Sequence, residues 1–347
     1  MSTTESVTPS GAAVVRRPRR VRVLWFFVCL ALLAVLMVAS IAIGTRFVAV
    51  GTMWDALNGA DDTLDEAVIR VRIPRTVLAV LAGASLAVSG TVFQGVTRNP
   101  LADPGILGIN MGASLAVVVG LAWFGLSNPN SYIWVAIAGA GLAAVFVYAV
   151  GSLGRGGPTP LKLALAGAAT SAALVSFVTA VILPRGDISE NVQSWQIGGV
   201  GGATFERIGQ VVPFLAVGLV ICLLSARSLN SLALGDDVAA GLGERVAPAR
   251  GLASLGAVML CGAATAICGP IGFVGLVVPH LCRLLVGPDH RWLLPFTALT
   301  GASLLLAADV IGRIVARPAE IEVGIVTALV GAPFFIYIVR RQKVRAL

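Results

Sequence analysis

Ten long apolar runs, most of them free of charge, constrain this chain more than any other feature of its sequence. The first, residues 23–43, is long enough to cross about 30 Å of hydrocarbon as an α-helix. The others are residues 76–95, 105–124, 132–151, 161–183, 208–226, 251–269, 271–287, 293–312 and 323–339. Because these runs do not alternate as barrel strands do, they predict an all-α polytopic membrane protein with about ten transmembrane helices.

Composition supports this prediction and excludes several other classes of protein. The chain is 57% hydrophobic and only 12% charged, whereas soluble domains carry about 25% charged residues. An ordinary soluble enzyme, a disordered chain and a disulfide-rich secreted domain are therefore excluded. The five cysteines all lie in apolar runs and form no CxxC pair, which indicates buried hydrophobic side chains rather than disulfides or metal ligands. We expect no metal site and no cofactor.

The basic residues predict the orientation of the chain in the membrane. Residues 1–22 form a polar tail that ends in Arg16, Arg17, Arg19, Arg20 and Arg22, and we expect it to be cytoplasmic, with residues 23–341 forming the transmembrane domain. In a ten-helix layout, 17 of the 25 basic residues fall on the side of this tail and 8 on the other. Both termini are then cytoplasmic in a multi-pass cell (inner) membrane protein. The net charge of +8 reflects this topology and indicates no nucleic-acid partner.

The predicted outer side departs from the positive-inside rule in two places. Arg70, Arg72 and Arg75 crowd the predicted start of the second helix, and Arg313 and Arg317 follow the ninth. Such clustering indicates a function for these charges, although arginines at a membrane interface also snorkel toward water. Asp309 lies four residues before Arg313, so an intrahelical ion pair is expected there.

The inner connection 227–250 is longer than a tether requires. It predicts two short helices, residues 229–235 and 236–243, with Gly235 ending the first and Asp236 beginning the second. We expect this surface helix pair to dock a cytoplasmic protein; the alternative is an ordinary solvated loop.

The sequence contains none of the common catalytic or nucleotide-binding motifs. No GxxxxGK[ST] phosphate loop, HExxH or GxSxG pattern occurs. We therefore expect no enzymatic activity and no ATPase site in this chain. Two hypotheses follow: a transport pathway energised by an ATPase partner, or a secondary transporter driven by an ion gradient. The second requires mid-membrane carboxylates, and Asp309 is the clearest candidate.

Four sequence blocks in order resemble the FecCD family of ABC transporter permeases, which import iron–siderophore complexes, haem or vitamin B12. They are Arg72-Ile-Pro-Arg75 with Asn-Pro-Leu-Ala-Asp-Pro-Gly-Ile-Leu-Gly at 99–108; Ala233-Leu-Gly235 with Ala239 and Leu242-Gly243; Gly-Pro-Ile-Gly-Phe-Val-Gly-Leu-Val-Val-Pro-His at 269–280; and Ala308-Asp309 with Arg313, Glu320 and Gly331-Ala-Pro333. The resemblance covers roughly residues 23–341.

This resemblance implies a type II ABC importer fold and a set of partners. Two permease subunits, identical or related, would form the pathway, two ATP-binding cassette subunits would bind inside, and a substrate-binding protein would dock outside. The cargo implied is a ferric siderophore, or haem or cobalamin.

The resemblance also implies residue roles. Arg72, Arg75 and Arg313 would contact the binding protein. The segment 229–243 would couple to the ATPase through Leu232, Leu234, Gly235, Asp236, Ala239, Leu242 and Gly243. Asn99, Pro100 and Leu101 would form a cytoplasmic gate, with a simple connector as the alternative, and Thr170 and Ser171 would line the pathway, with helix packing as the alternative.

Overall fold

A computed structural model describes residues 18–44, 47–48, 51–52, 63–126, 129–154 and 159–343. These residues are largely helical, and no strand occurs among them. The helices are α1 (Arg19–Ala42), α2 (Leu64–Thr97), α3 (Ile109–Phe124), α4 (Pro129–Ser152), α5 (Pro160–Ile182), α6 (Gly186–Ile197), α7 (Phe205–Leu224), α8 (Ala226–Leu232), α9 (Asp236–Gly241), α10 (Val246–Cys268), α11 (Val274–Val286), α12 (His290–Val315) and α13 (Val323–Lys343), with a 3₁₀ helix at Pro104–Leu107.

Ten of these helices correspond to the ten predicted runs. Within the described ranges, seven helices are long and apolar enough to cross a membrane: α1, α2, α4, α5, α7, α10 and α12. Shorter apolar helices occur at Ile109–Phe124, Val274–Val286 and Val323–Tyr337. The all-α polytopic fold is confirmed.

The predicted start of the second span is wrong. Helix α2 begins at Leu64 rather than at residue 76, so the three arginines lie inside the helix. A capping box fixes this start: the Thr63 hydroxyl accepts from the Glu66 N–H at 3.3 Å, and Glu66 Oε2 accepts from the Thr63 N–H at 2.9 Å. The prediction failed because it followed apolar residues alone, whereas the cap places the helix start in a charged segment.

Two further boundaries differ from prediction. The connection between the predicted runs 161–183 and 208–226 contains α6, and the run 105–124 is interrupted at Gly108, where φ is 68°. Gly108 closes the 3₁₀ helix before α3 begins, since glycine adopts a left-handed conformation without steric cost.

Helix α2 is the centre of the bundle. In its apolar stretch 78% of the residues are buried, against 11% in α5. A Cβ atom on Gly83 would overlap the Gly301 carbonyl of α12, and one on Gly90 would overlap the Gly275 backbone of α11. The helices therefore pack backbone against backbone, as the abundance of small residues predicts.

The predicted basic tail falls mainly outside the described residues. Residues 1–17, including Arg16 and Arg17, are not described, whereas Arg19, Arg20 and Arg22 lie in the first turn of α1. Arg22 Nη1 is 4.0 Å from Asp289 Oδ2, so the start of α1 lies beside the start of α12. The five cysteines are unpaired and buried, as predicted.

Candidate functional site

A charged network joins α2, α12 and the segment after α12. We call this end of α2 the outer end and the end that carries Arg98 the inner end. Arg75 Nε and Nη2 donate to Asp309 Oδ1 at 3.0 and 2.8 Å, and Arg75 Nη1 donates to Glu320 Oε2 at 2.6 Å. Because the guanidinium is planar, it engages both carboxylates in a fixed geometry.

Arg313 occupies the other side of Asp309. Its Nη2 is 2.8 Å from Asp309 Oδ2, which confirms the expected intrahelical pair. Arg313 also donates to the Ser40 carbonyl and to the Ser40 hydroxyl, both at 2.9 Å. It therefore ties the last turn of α1 to α12.

Arg72 completes the network at the end of α1. It donates to the carbonyls of Ile41 and Ala42 at 2.9 and 3.3 Å. Arg72 is 6% exposed and Arg313 only 2%. The three predicted docking arginines thus lie together, but two of them are buried among partners of this chain, and Arg75 is nearest to the exposed carboxylate of Glu320.

The predicted coupling segment forms two short helices at the inner end. Helix α8 ends at Leu232 and α9 begins at Asp236, with Gly235 between them at φ 109°. Leu232 and Ala239 are fully buried against the bundle. The two helices were predicted correctly, with boundaries displaced by a few residues.

The opposite side of this segment presents apolar side chains to solvent. Leu234, Val238 and Leu242 are all more than half exposed. Gly243, at φ 85°, follows α9 and turns the chain toward α10. Exposed apolar side chains on a segment outside the long apolar helices are typical of a protein-docking surface.

A polar clamp holds α8 against the start of α12. Asn230 Nδ2 donates to Asp289 Oδ1 at 2.7 Å, and Asn230 Oδ1 accepts from the His290 N–H at 2.9 Å. Sequence reasoning missed this clamp. Asp289 does carry a local signal, because its side chain caps α12 by accepting from the Arg291 N–H at 3.1 Å.

The predicted gate residues form a compact turn directly after α2. Arg98, at φ 51°, ends the helix, and Asn99 Oδ1 accepts from the Leu101 N–H at 2.9 Å. The Asn99 carbonyl accepts from the Ala102 N–H at 3.1 Å. Pro100 and Leu101 are half-buried. The turn is fixed locally by Asn99 rather than by the prolines alone.

A mainly apolar cavity of about 430 Å³ lies beside this turn. Its walls come from the end of α2, the turn that follows it, α4, α5 and α10, and include Thr97, Asn99, Leu107, Tyr148, Leu163 and Leu255. We call residues 99–102 the gate turn after their predicted role; this turn has free space on one side.

Thr170 and Ser171 lie on α5 and are half-buried. Ser171 Oγ and Thr170 Cγ2 lie 3.5 and 3.8 Å from where a Cβ atom on Gly108 would be. They thus face the start of α3, while much of the remaining α5 surface is apolar and exposed. Among the described residues, no group of three or more His, Cys, Asp or Glu side chains is placed to hold a metal ion.

These features define a class of protein: a polytopic helical membrane protein with a charged network at one end of its central helix and, at the other end, two short surface helices close to the turn that follows α2. The FecCD transport family model matches residues 32–341, and the chain belongs to this family. It is accordingly a multi-pass inner-membrane protein and the permease subunit of an ABC importer.

Individual relatives and a solved structure agree with this assignment. The chain is 42% identical over 307 residues to the iron(3+)-hydroxamate import permease FhuB of Bacillus subtilis, covering 88% of this chain and 79% of FhuB. It is 42% identical over 315 residues to the ferric enterobactin transport permease FepD of Escherichia coli strain K12, covering 90% and 94%. An inward-facing metal-chelate type ABC transporter superimposes with a TM-score of 0.80 at 30% identity, covering 92% of this chain and 99% of that one.

Proposed function

We propose that this permease imports a ferric siderophore, using ATP hydrolysed by a partner. One observation carries the choice of cargo: the chain is 42% identical, over most of its length, to two permeases whose names specify ferric siderophores. Haem and cobalamin are the alternative cargoes. Helix α5, which we propose lines the pathway, carries one charged residue, Lys162, so cargo is passed on rather than held, and selectivity resides in a separate binding protein.

A second permease subunit, a copy of this chain or a related one, completes the pathway. Support comes from α5, which has the smallest buried share, 11%, of the seven long apolar helices among the described residues. Thr170 and Ser171 lie on the same helix and would add hydroxyl groups to an otherwise apolar pathway. Asn99, Pro100 and Leu101 would narrow its inner mouth, with both termini on that cytoplasmic side.

The coupling segment binds an ATP-binding cassette subunit. The exposed Leu234 and Leu242 supply apolar contact area for that partner, and the buried Leu232 and Ala239 anchor the segment to the bundle. Gly235 and Gly243 flank α9 with left-handed backbone conformations, which allows tight turns on both sides. Asp236 lies at the first position of α9.

The outer end docks the binding protein through its arginines. Arg75 makes the direct contact with a carboxylate of that protein, while Arg72 and Arg313 add positive electrostatic potential from buried positions. Such charges steer and orient association more than they strengthen it. This role differs from snorkelling, because Arg72 donates to the carbonyl of Ile41 and Arg313 pairs with Asp309, both within this chain.

The proposed function is tested by reconstitution in liposomes with an ATPase partner and a siderophore-loaded binding protein. We expect uptake of the ferric siderophore only when ATP is supplied on the side of the membrane that carries the ATPase. Liposomes without the importer should show no uptake. Haem and cobalamin with their binding proteins are the matched cargo controls. Uptake that follows a proton gradient without ATP would contradict the proposal.

Docking is tested by a pair of variants with opposite expected effects. Arg75→Gln should weaken binding-protein association at low salt by about two- to fivefold, since one partly exposed charge pair is lost. Glu320→Gln should strengthen it, because Glu320 competes for Arg75 Nη1. Arg291→Gln, on the inner end, is the control. If the wild type and the three variants bind the binding protein with equal affinity, Arg75 is not part of the docking surface.

A further inference from the structure

One carboxylate connects the coupling segment to two other parts of the bundle. Asp236 Oδ1 accepts from Arg98 Nη2 at 2.9 Å and from Arg250 Nη2 at 3.0 Å, and its Oδ2 is 3.3 Å from the same Arg250 nitrogen. Arg98 ends α2, and Arg250 lies in the first turns of α10. Asp236 thus joins α9 to the start of α10, which follows it closely in the sequence, and to the end of α2, which is far from it in the sequence.

The position of Arg98 gives this contact its significance. Arg98 is the residue immediately before Asn99, and its left-handed backbone makes the transition from α2 to the gate turn. A displacement of Arg98 would therefore act on the backbone that leads into Asn99, Pro100 and Leu101. The cavity beside the turn leaves room for such a shift.

The two short helices of the coupling segment are attached in different ways. Helix α8 is clamped to α12 through Asn230, whose amide bonds both Asp289 and the His290 N–H. Helix α9 follows the left-handed Gly235 and contacts Arg98 and Arg250 through Asp236. Displacement of α9 about Gly235 would therefore reach the gate turn before it disturbs α12.

We propose that Asp236 is a positioning residue that transmits movement of the coupling segment to the gate turn through Arg98, with Arg250 holding the carboxylate in place. This inference rests on the proposed function and specifies how the two inner sites act together. The side chains of Arg98 and Asp236 are 37% and 43% exposed. A partly exposed ion pair is weak enough to break and re-form during a transport cycle.

The first test compares Asp236→Asn with Glu244→Gln in the complete importer in liposomes. Both changes remove one negative charge from the same end of the protein, but Glu244 accepts from the Ser228 hydroxyl instead of contacting the gate side. For Asp236→Asn we expect a fall of about two- to fivefold in cargo moved per ATP hydrolysed, compared at equal amounts of bound ATPase. Glu244→Gln should keep the wild-type ratio.

The second test measures the gate directly. Leu101→Cys is labelled with a membrane-impermeant maleimide, with and without nucleotide; the five native cysteines are buried and give a low background. We expect a nucleotide-dependent change in labelling that is lost when Asp236→Asn is added and retained with Glu244→Gln. A purely structural role of Asp236 would not produce this selective loss.

The variant Arg98→Gln tests whether Asp236 acts on the gate turn through Arg98. If Asp236 acts through Arg98, the double variant Arg98→Gln/Asp236→Asn should lower the transport-to-ATP ratio no further than either single change. Additive losses would overturn the proposal, as would a wild-type labelling response in Asp236→Asn. Failure of Asp236→Asn to bind the ATPase would also overturn it, since Asp236 would then be a partner contact. If the proposed function itself is wrong, the wild type will show no ATP-driven uptake, which distinguishes that outcome from failure of the Asp236 proposal.

Discussion

Both ends of helix α2 carry arginines: Arg72 and Arg75 are largely buried at the outer end, and Arg98 is partly exposed at the inner end. At the outer end, Arg72 and Arg75 lie among carbonyl groups, Asp309 and Glu320, with most of their surface removed from solvent. At the inner end, Arg98 reaches across partly exposed surface to a single carboxylate. The contacts of the outer end are therefore largely buried and fixed, whereas the contact of the inner end is exposed enough to break and re-form.

The energetic contrast follows from desolvation. A buried arginine that loses its partner leaves an uncompensated charge, which costs about 3–5 kcal/mol. A surface pair contributes only about 0–1 kcal/mol, because water solvates both partners when they separate. Conformational change is therefore far less costly at Arg98 than at Arg313.

The largest expected effect tests the rigidity of the outer end. Arg313→Met should lower the free energy of unfolding by about 3–5 kcal/mol, because Asp309 loses one of its two cations inside the bundle. The measurement is thermal unfolding of the purified permease in detergent, followed by a thiol-reactive dye that reports exposure of the buried cysteines.

Arg291→Met is the matched control for this change. Arg291 lies on the same helix, α12, but it is exposed at the inner end. We expect a change within about 0.5 kcal/mol. Equal destabilisation by both variants would break the contrast between the two ends.

A smaller loss of stability is expected from a change in the middle of α2, between its outer and inner ends. Gly90→Ala places a methyl group onto the Gly275 backbone and should destabilise the permease by about 1–3 kcal/mol, since backbone atoms cannot move aside as a flexible side chain would. Gly141→Ala in α4 is the control, because the position of its Cβ atom has no neighbour within 4 Å. The same dye assay should show unchanged or slightly raised stability there, since alanine favours helix. Unchanged or raised stability of Gly90→Ala would mean that helix propensity, and not close approach to Gly275, governs Gly90.

The sequence predicts the features that depend on local pattern. Apolar runs locate ten helices, and Gly235 with Asp236 locates the break between α8 and α9. The intrahelical pair Asp309–Arg313 is also local, because residues four apart share a helix face. These elements need no knowledge of which helices are neighbours.

Long-range partners could not be predicted in this way. Ser40 bonds Arg313, Asn230 bonds Asp289, and Asp236 bonds Arg98, and each pair is distant in the sequence. The outer arginines were recognised as a departure from the positive-inside rule, but their burial depends on the end of α1 packing beside them. A charge count records the side of the membrane and not the depth of a side chain.

The smallest expected effect concerns the pH dependence of the outer end. Glu322 precedes α13, and its carboxylate packs against Gly199 with no room for a side chain there. Burial raises the pKa of Glu322; Arg75 opposes this shift, and Glu320 and Asp309 reinforce it. Because the folded protein then holds this proton more tightly than the unfolded chain does, the stability it contributes is full below the unfolded pKa of about 4.3 and is lost as pH rises through the raised pKa.

Glu322→Gln removes this dependence, so its unfolding temperature should match the wild type at low pH and exceed it increasingly as pH rises. Parallel curves for the two proteins would show that this carboxylate does not limit the stability of the outer end.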